Sequence, residues 1–255
     1  MTQDIKREIS HFEENDWYKI ESSEELDPES ITHYLKDLIH KTSLNKKSKV
    51  LEIASGGGQF GIKLVKETNA EYIGLDLTPS FVKEANKRAK EGKVEANFIQ
   101  GDAAKLPFKD NSFDIVYVTY SLHHFPNAES LDKVSKEVFR VLKKGGYYYT
   151  LEPNGLNPII LSWFLIRSPE RVLPLGIKWR ENRRLSINET IIYPWQVERS
   201  LKTVFPKITS YTLGFIPKTS YFKKRKIFWN RVNKLVKRTP VLNKLGGSFI
   251  VIGKK

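Results

Sequence analysis

Val50-Leu51-Glu52-Ile53-Ala54-Ser55-Gly56-Gly57-Gly58-Gln59-Phe60-Gly61 decides how this chain of 255 residues folds. Val50, Leu51 and Ile53 make the short apolar run of a buried parallel strand, and Glu52 puts a carboxylate into it just before the chain breaks into bare backbone. Glycine carries no Cβ, so Gly56, Gly57 and Gly58 tolerate positive φ and let a ligand lie against the main chain. The helix that follows offers unpaired N–H groups to that ligand. The stretch therefore predicts a strand, a glycine turn and a helix, with a nucleotide-type cofactor at the turn.

Two further acids repeat the pattern. Glu71-Tyr72-Ile73-Gly74-Leu75-Asp76 ends in an acid 24 residues after Glu52, a separation that leaves room for a helix over Ile62 to Thr68. Ala96-Asn97-Phe98-Ile99-Gln100 runs into Gly101-Asp102, 26 residues after Asp76. Any one of these acids alone reads as a turn former or helix cap. Three in succession, each closing a strand, converge on one rim of one sheet, and Asp76 stands where ribose hydroxyls meet an acceptor.

These residues resemble the class I S-adenosylmethionine-dependent methyltransferases, especially the branch similar to ubiquinone and menaquinone biosynthesis methyltransferases. The resemblance covers roughly Lys49 to Asn154 and is carried by Leu51–Gly58, Gly74-Leu75-Asp76, Gly101–Phe108, Ser112–Val116, Leu122-His123-His124-Phe125 and Glu137–Gly146. It implies that Glu52 orders the glycine loop and approaches the methionine amino group through water or backbone. Ala54, Ser55, Gly56 and Gly58 run under the methionine and ribose. Asp76 accepts from the ribose diol, Leu77 packs on adenine, Asp102 accepts from the adenine amine, the Ala103 N–H donates to a ring nitrogen, and Thr119 makes a backbone contact at the methionine end. Ala54 stands where the family usually has glycine; its methyl is expected to fit with negative φ. The same glycines satisfy the dinucleotide pattern GxGxxG, which leaves a nicotinamide-dependent oxidoreductase as the rival reading. A protein that keeps the S-adenosylmethionine site without catalysis is another.

The expected fold is α/β: a Rossmann-like, doubly wound sheet of seven strands, mostly parallel with an antiparallel last strand. Strands are expected near 49–54, 71–76, 96–100, 113–119 and 146–152, with Lys207–Phe215 and Gly247–Lys254 closing the sheet. A single domain is expected, with a helical cap over 1–47, a cofactor-binding core over 48–154, and substrate-side insertions at 155–194 and 215–246. Ile31, Tyr34, Leu35, Leu38 and Ile39 fall at helical spacing in the cap. In the first insertion Asn157 caps and Pro158 starts an apolar helix over Ile159–Ile166, too short to span a bilayer. In the second, Phe228, Val232, Leu235 and Val236 repeat at helical spacing among eight Lys and Arg residues.

Charge is divided unevenly. Residues 1–150 hold 22 Lys and Arg against 24 Asp and Glu, whereas 151–255 hold 21 against 5, a net of plus 16. An anionic partner is expected on that side, and the basic segment with Trp163, Trp179, Trp195 and Trp229 suits peripheral contact with an anionic membrane beside a lipid-like, small-molecule acceptor. No recognition motif accompanies the charge, which disfavours nucleic acid. With no cysteine and five scattered histidines, no metal site is expected. The polar opening Met1–Lys6 is not a secretory signal, so a cytoplasmic protein is expected.

Methyl transfer from a sulfonium is an in-line displacement that needs alignment and exclusion of water. Candidate bases are His124, favoured by the Leu-His-His pattern, then His123, with Glu152 after the fifth strand. Each has an alternative as a loop brace or ion-pair residue, and Tyr18, Tyr120 and Asn154 are candidate pocket walls.

Overall fold

The computed structural model describes residues 3–14, 28–125, 127–167, 191–214, 239 and 244–255. Its strands are β1 (Lys49–Ile53), β2 (Glu71–Asp76), β3 (Asn97–Gln100), β4 (Phe113–Thr119), β5 (Leu142–Pro153), β6 (Lys207–Leu213) and β7 (Ser248–Lys254). They form one seven-stranded sheet in the order β3-β2-β1-β4-β5-β7-β6. Strands β1 to β5 pair in parallel, and β7 runs antiparallel to both β5 and β6. The expected doubly wound topology is therefore found. β5 starts earlier than expected, because Leu142 already pairs with Phe113 before a register shift sets Tyr147 against Ile115. Gly145, at φ 83, lies in the skipped stretch.

Helices are α1 (Gln3–Glu14), α2 (Pro28–Thr42), α3 (Gln59–Thr68), α4 (Pro79–Glu91), α5 (Ala128–Val141), α6 (Pro158–Arg167) and α7 (Pro194–Lys202). Alternation along β1 sends Leu51 and Ile53 into one core with Leu131, Val134 and Val138 of α5. Val50 goes to the opposite core, with Leu35 and Leu38 of α2 and Leu64 of α3. Each of these aliphatic side chains is almost wholly buried apart from Leu131, and such burial contributes about 1.5–3 kcal/mol apiece. The cap pattern holds in α2, where Ile31, Tyr34, Leu35 and Leu38 are buried.

Two winding directions start from the middle of the sheet. After β1 the chain steps outward to β2 and β3, then crosses back to place β4 on the other side of β1. The carboxyl ends of β1 and β4 thus flank the switch point where ligands enter such sheets.

The chain leaves β5 and returns to β7 at one place. Asn157 caps α6 as expected, its Oδ1 accepting from the N–H groups of Ile159 and Ile160 at 3.0 and 3.2 Å. Its Nδ2 donates to the Leu245 carbonyl at 2.7 Å, and Nδ2 of Asn154 donates to the carbonyls of Lys244 and Gly246 at 3.0 and 2.8 Å. Both asparagines are fully buried, so Asn154 is a clasp and is absent from the pocket wall expected for it. The basic helical stretch up to residue 243, apart from 239, lies outside the described residues, as do Tyr18, Trp179 and Trp229. No helix among the described residues is long and apolar enough to cross a membrane.

Candidate functional site

The glycine turn after β1 stands on left-handed backbone: Ala54 at φ 53, Gly56 at φ 49 and Gly58 at φ 78. The negative φ expected of Ala54 is not found; a turn this tight needs αL there, and alanine accepts the strain. Asp76, at the end of β2, holds the turn from beside it. Its Oδ2 accepts from the Gly56 N–H at 2.7 Å and its Oδ1 from the Thr78 N–H at 2.9 Å. Arg88 of α4 donates to the Gly57 carbonyl at 3.2 Å from the other side. Gly58 is pressed against Phe98 and Ala85, where an added Cβ would stand 2.7 and 2.9 Å from their carbons. Burial raises the Asp76 carboxyl above its ordinary range, opposed by the N–H groups of Thr78 and Gly56.

Glu52 lies behind the turn, 1% exposed. The register sets Gly74 of β2 on one side of it and Tyr117 of β4 on the other. Gly74 leaves a path for the side chain of Tyr72, whose hydroxyl would be 2.8 Å from any Cβ at position 74. Through that path the Tyr72 hydroxyl donates to Glu52 Oε2. Burial pushes the Glu52 carboxyl up to about 8, with the Tyr72 and Tyr117 hydroxyls pulling the other way and Asp76 adding to the rise. The carboxyl thus carries a proton through much of the neutral range.

In front of Glu52 opens a cavity of about 190 Å³. Ala54, Ser55, Gly56 and Gly57 form one wall, Gln59 and Phe60 open α3 beside them, and Thr119, Tyr120 and Ser121 form the wall after β4. Ser55 Oγ is buried there with no hydrogen-bond partner among the described residues. A stranded hydroxyl in a cavity with a carboxyl and bare peptide groups fits a polar ligand. The volume is below the roughly 300 Å³ of a typical whole-ligand pocket, so it suits one end of an extended molecule. Of the expected cofactor set, Glu52, Ala54, Ser55, Gly56 and Thr119 line this cavity, while Gly58, Asp76, Leu77, Asp102 and Ala103 stand outside its lining. Asp102 Oδ1 accepts from its own turn, the Ala104 N–H at 2.8 Å, and Gln100 Nε2 donates to the Leu77 carbonyl at 3.2 Å.

Tyr120 begins the second wall in the left-handed region, φ 52, an uncommon place for so large a side chain. Its hydroxyl meets Ser248 Oγ at 2.9 Å and its ring packs edge-on against Tyr34 of α2. The short turn that follows, Leu122–His124, is organised by Glu152, which is fully buried. Oε1 of Glu152 accepts from the N–H groups of Ser121 and Leu122 at 2.9 and 2.8 Å, and Oε2 lies 2.8 Å from Nδ1 of His123. The candidate bases are therefore brought together, yet Glu152 orients His123 and leaves His124 to a carboxylate on α1. Tyr72, Tyr117, Arg88, Gln59, Phe60 and Ser121 were not singled out from the sequence; the tyrosines are marked only by their position on the strands flanking Glu52. Among the described residues no three His, Cys, Asp or Glu side chains gather so as to hold a metal ion.

Residues 50–146 match the family model described as a methyltransferase domain. A sterol 24-C-methyltransferase of Aspergillus fumigatus is 36% identical over 122 residues, which is 47% of this chain and 31% of that protein. A demethylmenaquinone methyltransferase of Chlorobaculum parvum is 35% identical over 122 residues, 48% of each chain. The chain thus spans about half or less of the length of these curated relatives. In fold, the PH0226 protein of Pyrococcus horikoshii superposes with a TM-score of 0.63 at 22% identity, covering 94% of this chain and 98% of the other. The matches go to methyltransferases, and the oxidoreductase rival is not favoured. Over residues 50–146 the chain carries a methyltransferase domain of the class I, S-adenosylmethionine-dependent kind, related to the quinone-biosynthesis branch.

Proposed function

We propose that the protein transfers a methyl group from S-adenosylmethionine to a small hydrophobic or lipid-linked acceptor. The observation that carries this reading is the glycine turn itself: a bare peptide floor pinned by Asp76, open to a cavity that holds Glu52 and the unsatisfied Ser55 hydroxyl. In this reading Ala54, Ser55, Gly56 and Gly58 cradle the methionine and ribose, Glu52 and Thr119 face the methionine end, and Asp76 keeps a lone pair for ribose. Leu77, Asp102 and Ala103 hold the adenine along the rim. When bound, S-adenosylmethionine supplies an electrophilic methyl group. The chain supplies alignment, exclusion of water, and proton acceptors in His123 and His124, with Glu152 fixing the first of them.

An apolar acceptor is supported by the relatives, which are a sterol methyltransferase and a demethylmenaquinone methyltransferase by name. It is supported also by the basic balance of residues 151–255, which suits peripheral contact with anionic lipid in a cytoplasmic protein. Calorimetry is expected to show S-adenosylhomocysteine binding in the micromolar range, and S-adenosylhomocysteine is expected to accumulate when the protein meets S-adenosylmethionine and a cellular lipid extract. Tight NADH binding with no response to S-adenosylhomocysteine overturns the reading. Binding without accumulation reduces it to a cofactor-binding protein. For the membrane contact, no enrichment on anionic vesicles at low salt is the negative result.

A further inference from the structure

Helix α1 packs between the turn that follows the second wall and the start of α4. Phe12 packs against Phe81 at the start of α4 and against the His124 ring, with centroids 5.5 and 5.7 Å apart. Glu13 accepts from the Ser80 N–H at 3.0 Å. Between these contacts Glu8 is 8% exposed, and neither of its oxygens has a hydrogen bond among the described residues. The group that faces it is His124, whose Nδ1 stands 3.4 Å from Oε1. The His124 ring in turn meets His123 at 4.3 Å between centroids, and His123 is the ring held by Glu152. A carboxylate, two touching imidazoles and a second carboxylate thus form a row from the N-terminal helix to the end of β5. Within the row, His123 stands two residues past Ser121 of the cavity wall.

A buried carboxylate without hydrogen bonds is costly unless a cation compensates it, and a carboxylate beside an imidazole favours the protonated ring. Two imidazolium rings in contact oppose one another, so the pair of rings favours one charge over two. Among the described residues Glu8 from α1 and His123 stand against His124, with Glu152 behind His123. Resting on the methyltransferase reading, we propose that Glu8 is a positioning residue that holds and polarises His124 as proton acceptor. The acceptor class is then one that needs a base to free its nucleophilic pair, a hydroxyl or a carbon acid, and not an amine whose lone pair is already free. Its bonding pair forms the new bond to the methyl carbon, its proton passes to the His124 imidazole, and the carbon–sulfur pair leaves with sulfur.

The test is histidine-selective NMR titration of the full chain, with His123→Asn assigning the signals. Glu8→Gln is expected to lower the His124 midpoint by about half a pH unit or more, the size of effect a neighbouring carboxylate exerts. Phe12→Leu, which loosens α1 without touching the charge, is expected to leave it in place. In turnover with methyl-labelled S-adenosylmethionine and a lipid extract, the acid limb of the kcat profile moves down with the midpoint while KM for S-adenosylmethionine stays. Label is recovered on oxygen or carbon. An unmoved midpoint in Glu8→Gln, a shift reproduced by Phe12→Leu, or label on nitrogen alone overturns the proposal. Calorimetry separates this from failure of the methyltransferase reading: wild-type protein that binds no S-adenosylhomocysteine removes the ground beneath both, whereas normal binding with an unmoved midpoint removes Glu8 only.

Discussion

The turn after β1 and the turn after β4 are built on the same plan and put to opposite use. Each has a residue other than glycine in the left-handed region, Ala54 at φ 53 and Tyr120 at φ 52. A buried carboxylate from a neighbouring strand holds each: Asp76 accepts from Gly56 of the first turn and from Thr78 of its own, and Glu152 accepts from Ser121 and Leu122 of the second. Such anchoring fixes a loop without covering it. In the first turn the residues beyond the anchor are bare, leaving peptide groups to face a ligand. In the second they are Tyr120, Ser121, His123 and His124, which put side-chain chemistry at the same rim. Under the proposed function, a common backbone device serves recognition on one side of the switch point and reactivity on the other.

Removing the two anchors should break the likeness most strongly. Glu152→Ala strands two buried N–H groups and the His123 ring, and is expected to cost about 3–5 kcal/mol in denaturant unfolding. Asp76→Ala is expected to weaken S-adenosylhomocysteine binding about 100-fold, roughly 2.7 kcal/mol, by calorimetry. Comparable affinity loss in both variants would erase the division of labour between the turns.

A pH effect on stability, of intermediate size, belongs to the first turn. Burial raises the Glu52 carboxyl from 4.5 to about 8. A carboxyl that stays protonated in the folded chain binds more protons than the unfolded one, so its contribution is fully present below about pH 4.5 and is lost as pH rises through 8. Glu52→Gln, which cannot ionise, should gain in melting temperature relative to wild type as pH is raised from 5 to 8, and a pH-independent difference would refute the buried acid. The smallest expected effect sharpens the comparison. Ala54→Gly relieves left-handed strain and should stabilise by about 0.5–1 kcal/mol, whereas Tyr120→Gly should destabilise, because it also forfeits packing on Tyr34 and the Ser248 hydrogen bond.

The strands, their order and the position of the first turn are legible in the sequence because alternation and glycine placement act locally. The cradle around Glu52 is not, since Tyr72 and Tyr117 become its neighbours only when β1 pairs with β2 and β4 in a particular register. Gly74 is the one local trace: a strand glycine that leaves room for a crossing side chain. Ala54 misled because its left-handed φ belongs to the turn it opens, which Asp76 pins at Gly56 from 20 residues away, and is not announced by its own chemistry. Glu8 was invisible for a similar reason. Helix α1 reaches His124 across 116 residues of chain, and nothing in the spacing announces the meeting.

The asparagine clasp has a mechanical consequence. Asn154 and Asn157 bind the departing strand end to the carbonyls of residues 244–246, so the two excursions from the sheet share one pivot. The root of one excursion is therefore tied to the root of the other, and Ser248, the first residue of β7, carries the link on to the Tyr120 hydroxyl.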